Sequence, residues 1–127
     1  MVAERRAYLG TSALAKWYLN EPGSKTFVSF LQCLDSAVIS SLTVTEMLLF
    51  ATFLEDIDRG WLQRYPFDDA RFGEASNLIA RYPEQPLHTL DALHLTLAAQ
   101  MGLPMLATAD TVMAEIANLM GFDVQFF

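Results

Sequence analysis

Three carboxylates stand at the starts of three segments that read as helices: Glu46 in "TVTEM", Asp91 in "TLDAL" and Asp110 in "ATADTVM". Each alone has a structural explanation. Glu46 completes a T-x-x-E capping box with Thr43, Asp91 in a first turn favours the positive end of a helix dipole, and Asp110 is an N-cap. Together they carry more. In a parallel α/β sheet every strand-to-helix junction lies on one edge, the carboxyl ends of the strands, where ligands bind. Carboxylates held close there would repel and raise one another's pKa unless a cation neutralised them, and an all-oxygen set suits Mg²⁺ or Mn²⁺. Such a site activates water and stabilises charge developing on a phosphoryl group, so phosphodiester hydrolysis is the expected reaction.

The elements that would position these groups alternate. "YL" at Tyr8 and Leu9 ends a strand, and "TSALAKWY" starts a helix with Thr11 or Ser12 as its expected N-cap, broken by "EPG" at residues 21 to 23. Phe27, Phe30, Leu31 and Leu34 have helical spacing, and "AVISS" from Ala37 follows as a buried strand. From Thr43 to about Glu55 a helix carries two apolar stripes: Val44, Met47, Leu48 and Ala51, then Phe50, Phe53 and Ile57. The second stripe fits either this domain's own core or a dimer mate or other partner. "YPF" at 65 to 67 reads as a short edge strand, ahead of a helix from about Asp69 to Arg81. Thr89 is the expected cap of a helix with Leu90, Leu93, Leu97, Ala98 and Met101 on one stripe and Gly102 at its end. "PMLATA" is a strand, Asp110 caps a helix ended by Gly121, and "FDVQFF" closes the sheet. Strands alternating with helices predict a parallel sheet of about four to five strands covered on both faces, a three-layer α/β/α sandwich.

A chain of 127 residues, 53% of them apolar with nine Phe and six Met, is the size of one compact domain, and residues 1 to 127 are expected to form it. The longest near-apolar run, "MLLFATFL", is too short for a membrane span, and no charged-then-apolar leader opens the sequence, so a soluble cytoplasmic protein is expected. The net charge of −7 argues against a general polyanion binder, although carboxylates gathered round a cation can still meet a phosphate through it. Cys33, a lone thiol among Phe30, Leu31 and Leu34, reads as a small buried hydrophobe. His94, three residues after Asp91 and on the apolar stripe, reads as a hydrogen-bonded core histidine rather than a ligand. No nucleophile elbow, Walker loop or dinucleotide fingerprint is present, and a phosphorelay receiver is disfavoured by the lack of an early acidic pair.

The ordered set "YLGTSALAKWYLNEPGS", "ISSLTVTEMLL", "TLDALHLTLAAQMGLPMLATAD" and a closing Gly-x-x-V segment resembles the PIN-domain family, specifically its VapC-like toxins. The likeness spans nearly the whole chain; Glu55 to Arg81 carries almost none of it. The resemblance implies a PIN-like fold and a Mg²⁺-dependent endoribonuclease inhibited by a cognate antitoxin protein. Its acidic site residues would fall on Glu46, Asp91 and Asp110, with Ser12 and Thr108 as neighbouring hydroxyls, and a homodimer is expected.

One position departs from the pattern. The family's opening Asp-Thr-Ser motif is here Gly10-Thr11-Ser12. Glycine supplies no side-chain oxygen, so one ligand and one negative charge are missing and Mg²⁺ is expected to bind weakly. Two functions therefore stay open: a metal-dependent RNA endonuclease impaired by Gly10, and a catalytically inactive module that binds an antitoxin or RNA.

Overall fold

A computed structural model describes residues 4–47, 53–65 and 70–127. Five strands, β1 (Arg6–Leu9), β2 (Ser36–Ser40), β3 (Gln63–Tyr65), β4 (Met105–Thr108) and β5 (Asp123–Phe126), form one all-parallel sheet in the order β3-β2-β1-β4-β5. The chain walks outward from β1 to β3, returns to lay β4 against the other side of β1, and walks outward again to β5. That reversal puts the topological switch at β1 and β4, so a crevice opens beyond their carboxyl ends.

Side chains alternate across the sheet with the two-residue period of a strand. Ala7, Leu9, Ala37, Ile39, Met105 and Ala107 point to one face, where they pack with Ala13 and Leu14 of α1 (Thr11–Tyr18), Phe27 and Phe30 of α2 (Ser24–Gln32), Met47 of α3 (Ser41–Met47) and Phe53 of α4 (Phe53–Asp58). Tyr8, Val38 and Leu106 point to the other. There they meet Ala75 and Leu78 of α5 (Ala70–Arg81), Leu93, Leu95 and Leu97 of α6 (Thr89–Gln100), and Met113, Ile116 and Ala117 of α7 (Thr111–Leu119). Both faces of β1 and β4 are therefore apolar, as a sheet covered on two sides demands. The expected three-layer sandwich is the fold observed.

Several boundaries differ from expectation for identifiable reasons. Gly10, not Thr11 or Ser12, is the cap residue of α1 and gives no side-chain bond, because both hydroxyls are used elsewhere. Helix α6 is likewise entered through His88 rather than capped by Thr89. Helix α3 starts at Ser41, two residues before the expected Thr43 cap; the Thr43 hydroxyl instead accepts from the Ser40 N–H at 3.3 Å. Asp110 caps α7 as expected, its carboxylate accepting from the Met113 N–H at 2.9 Å. Gly102 and Gly121 follow their helices with φ of 66° and 97°, the left-handed turn that glycine adopts without a Cβ penalty.

Strand β3 lies two residues earlier than "YPF", and Pro66 and Phe50 fall outside the described residues. Phe53 is fully buried, edge-on to Tyr18, so it fills this chain's own core. Cys33 is exposed rather than buried, since it ends α2 at the surface. Lys16 is 8% exposed and donates to Glu21 and to the Pro22 carbonyl.

Candidate functional site

The carboxyl ends of β1, β2 and β4 deliver the residues singled out in the sequence. Gly10 to Ser12 leave β1, Glu46 rides on α3 just beyond β2, Thr108 ends β4, and Asp110 caps the helix after it. Helix α6 runs back toward β4 from the same edge, which brings Asp91 in its first turn to the group.

Asp91 and Asp110 meet electrostatically. Burial, and after it the negative charge of Asp110, raise the Asp91 carboxyl above the ordinary aspartate range; Glu46 adds to the rise, while His94 and His88 oppose it. A carboxylate whose charge is disfavoured by burial and by a neighbouring acid is what a cation would relieve. Glu46 moves the other way. Burial alone would raise it, but the hydrogen bond from His94, the attraction to that ring and the Thr11 hydroxyl outweigh burial and hold it below the ordinary glutamate value.

Glu46 is held by one oxygen. Its Oε1 is 2.5 Å from His94 Nε2 and accepts from Thr11 Oγ1 at 2.9 Å. His94, 2% exposed, turns Nδ1 to the Tyr8 hydroxyl, which also lies 3.0 Å from Ser40 Oγ. Burial pushes the Tyr8 phenol up to about 12, so it stays protonated. Beside this chain, Ser12 Oγ accepts from the Ala109 N–H at 2.8 Å and sits 3.2 Å from Thr108 Oγ1, which accepts from the Asp110 N–H at 3.1 Å. These bonds tie the start of α1 to the start of α7 across β1 and β4.

Gly10 is tightly enclosed. Its N–H donates to the Ala107 carbonyl at 2.7 Å, and a Cβ built on it would come within 2.9 Å of that same oxygen, 3.4 Å of Thr108 Oγ1 and 3.5 Å of Met113 Sδ. Its φ of −65° and ψ of 148° suit any residue, so the constraint is space and not backbone conformation.

The donor chemistry suits a hard cation in kind and is short in number. Among the described residues no three His, Cys, Asp or Glu side chains form a group that could hold a metal ion. Asp91 and Asp110 remain, and two carboxylates are within what Mg²⁺ accepts when waters and substrate phosphates complete its shell.

Sequence reasoning placed the three carboxylates, Ser12 and Thr108 on this edge, and the structure brings them there with Gly10. It missed Thr11 and Tyr8, and read His94 as a core histidine without naming its partners. The available signal was a polar side chain on an apolar stripe, since a buried imidazole must find a hydrogen-bond partner.

Comparison with known proteins bears on the family and the fold. Residues 7–119 match the sequence profile of the PIN domain. The fold is similar to that of the toxin VapC20 of Mycobacterium tuberculosis, described as cleaving the sarcin-ricin loop, with a TM-score of 0.74 at 12% identity over 91% of this chain and 95% of that one. It is also similar to FitAcB of Neisseria gonorrhoeae (TM-score 0.69, 20% identity, 95% and 96% covered) and to VapBC2 of Rickettsia felis bound to promoter DNA (0.66, 17%, 95% and 98%). At these identities the likenesses carry the fold. Curated proteins give no match.

Proposed function

Because the chain belongs to the PIN domain family, we propose that it is a VapC-like toxin ribonuclease, a metal-dependent endoribonuclease hydrolysing RNA phosphodiester bonds, with cleavage impaired by Gly10. In this reading residues 1 to 127 act as one PIN-like unit in the cytoplasm, as a homodimer restrained by a cognate antitoxin protein. Support for the partner comes from a similar fold solved in a toxin-antitoxin complex from Klebsiella pneumoniae.

The observation that carries the reading is the gathering of Asp91, Asp110 and Glu46 at the carboxyl edge of the sheet, where burial and then the charge of Asp110 raise the Asp91 carboxyl. These two side chains would hold a Mg²⁺ or Mn²⁺ ion. Bound there, the cation would lower the pKa of a water and neutralise charge developing on the phosphoryl group. The unshared oxygen of Glu46 orients the attacking water, and the Ser12 and Thr108 hydroxyls keep the ends of β1 and β4 in register beside it. Gly10 leaves the cation one carboxylate poorer.

The test is cleavage of a mixed RNA substrate with Mg²⁺, Mn²⁺ or EDTA, comparing this chain with Gly10→Asp. Metal-dependent cleavage that is weak in the native chain and at least about tenfold stronger in the variant is expected. Equal, robust cleavage by both would remove the role given to Gly10. Silence from both folded proteins would favour the second reading, an inactive module that binds an antitoxin or RNA. That alternative is motivated by the close packing around Gly10, which leaves little room for an aspartate.

A further inference from the structure

Among the buried polar groups at this edge, one set forms a connected chain. Ser40 is at the end of β2, Tyr8 in β1, His94 in α6 and Glu46 in α3, so the chain leaves the β2 to α3 junction and returns to α3 through two other elements. Ser40 and Tyr8 are fully buried and His94 nearly so, and the Tyr8 and His94 rings lie 5.6 Å apart. No part of the reaction proposed above requires Tyr8 or His94 to touch RNA or metal.

With His94 as a neutral imidazole, the four groups have one consistent direction for their hydrogens. A carboxylate only accepts, so the nitrogen facing Glu46 Oε1 must carry a proton: Nε2–H donates to it. In a neutral imidazole Nδ1 is then bare and accepts from the Tyr8 O–H. The Tyr8 oxygen is left to accept from Ser40, and every donor has a partner. His94 and Thr11 both act on Oε1, so they fix the carboxylate about one oxygen and turn Oε2 away from the buried chain.

We propose that His94, held by Tyr8 and Ser40, is a positioning residue that determines which oxygen of Glu46 is offered at the site. The consequence for catalysis rests on the ribonuclease reading above; the arrangement itself does not. Asp91 and His94 are one helical turn apart on α6, so the helix that supplies an acid to the crevice also sets the orientation of the Glu46 carboxylate opposite it.

The test has two arms on the full chain. The first needs neither metal nor RNA: long-range proton–nitrogen NMR of the ¹⁵N-labelled protein. One of the two histidines should be the neutral Nε2–H tautomer with a slowly exchanging ring proton. Tyr8→Phe should move its Nδ1 toward the free value, and Glu46→Gln should move the Nε2–H signal. An Nδ1–H tautomer, or ring signals indifferent to both substitutions, overturns the proposal.

The second arm measures RNA cleavage in the Gly10→Asp background. Against it, His94→Leu should lower kcat about tenfold or more with KM retained, and His94→Gln, whose amide N–H can still donate, should recover much of the loss. A folded His94→Leu protein with unchanged kcat overturns the proposal. If the Gly10→Asp protein cuts no RNA, the ribonuclease reading fails and the NMR arm alone decides the positioning.

Discussion

Two regions of this molecule each bury a carboxylate against an aromatic hydrogen-bond partner, and they serve different ends. At the carboxyl edge of the sheet, Glu46 is held by His94 and lies among two further acids and three hydroxyl groups. At the amino ends of β2 and β3, Asp56 of α4 accepts from the Tyr18 hydroxyl at 2.5 Å beside a cavity of about 370 Å³. Leu14, Trp17, Leu34, Trp61 and Leu62 line that cavity, and its two tryptophans meet edge-on at 6.2 Å. Burial, and then the Asp56 carboxylate, raise the Tyr18 phenol, so it remains a donor to that carboxylate. The cavity therefore offers shape, whereas the crevice brings the charges of Asp110 and Glu46 to bear on Asp91. The raised Asp91 carboxyl, rather than volume, is what motivates the proposed site.

The largest expected effect tests whether the cavity side is ordinary core. Phe53→Ala should cost about 3 to 5 kcal/mol in urea unfolding, the range for truncating a buried aromatic. A cost under about 1 kcal/mol would assign Phe53 to a partner surface and end the comparison on those terms.

The next effect separates the two acids directly. Asp56→Ala and Glu46→Ala each strand a donor, Tyr18 O–H or His94 Nε2–H, and each should cost about 1 to 3 kcal/mol in the same assay. In the Gly10→Asp background, Asp56→Ala should leave RNA cleavage intact while Glu46→Ala should lower it by about two orders of magnitude. The reverse pattern would move the functional site to the cavity.

The smallest effect is a gain. Because the folded state raises the Asp91 carboxyl, its neutral form is favoured on folding, and the cost of ionising it appears as pH rises through the folded value. Asp91→Asn should therefore stabilise the chain at pH 7 by a fraction of about 1 kcal/mol after solvent screening, measured as a rise in Tm. The gain should vanish below the ordinary aspartate value of 3.8, where both states are protonated. Loss of stability at neutral pH would show that the two acids do not repel.

Helix periodicity carried most of the fold into view. The stripe of α7, the strands around Tyr8, Val38 and Leu106, and the glycines after α6 and α7 depend on local spacing and backbone geometry, which a sequence displays directly. The α6 stripe is met only in part, since Leu90 is exposed and the helix is buried all round from Ala92 to Ala98. Helix starts were less legible at hydroxyl residues. Thr11 and Ser12 have the chemistry of caps, but Glu46, 35 residues away, and Ala109, 97 residues away, take their hydroxyls. The pairing of Glu46 with His94 was hidden for a similar reason: a histidine at a core position looks the same whatever its partner is. Cys33 misled because its apolar neighbours point inward from a helix whose end is at the surface.

The packing around Gly10 bears on how this protein could change over generations. Position 10 is not an empty socket: the Ala107 oxygen stands 2.9 Å from where the first side-chain atom of a replacement would go. Return to an acidic residue thus requires the ends of β1 and β4 to part by some tenths of an ångström before any benefit to metal binding is felt. A lineage that drifted to glycine would meet the steric penalty first and the catalytic reward second, which makes the loss easier to keep than to reverse.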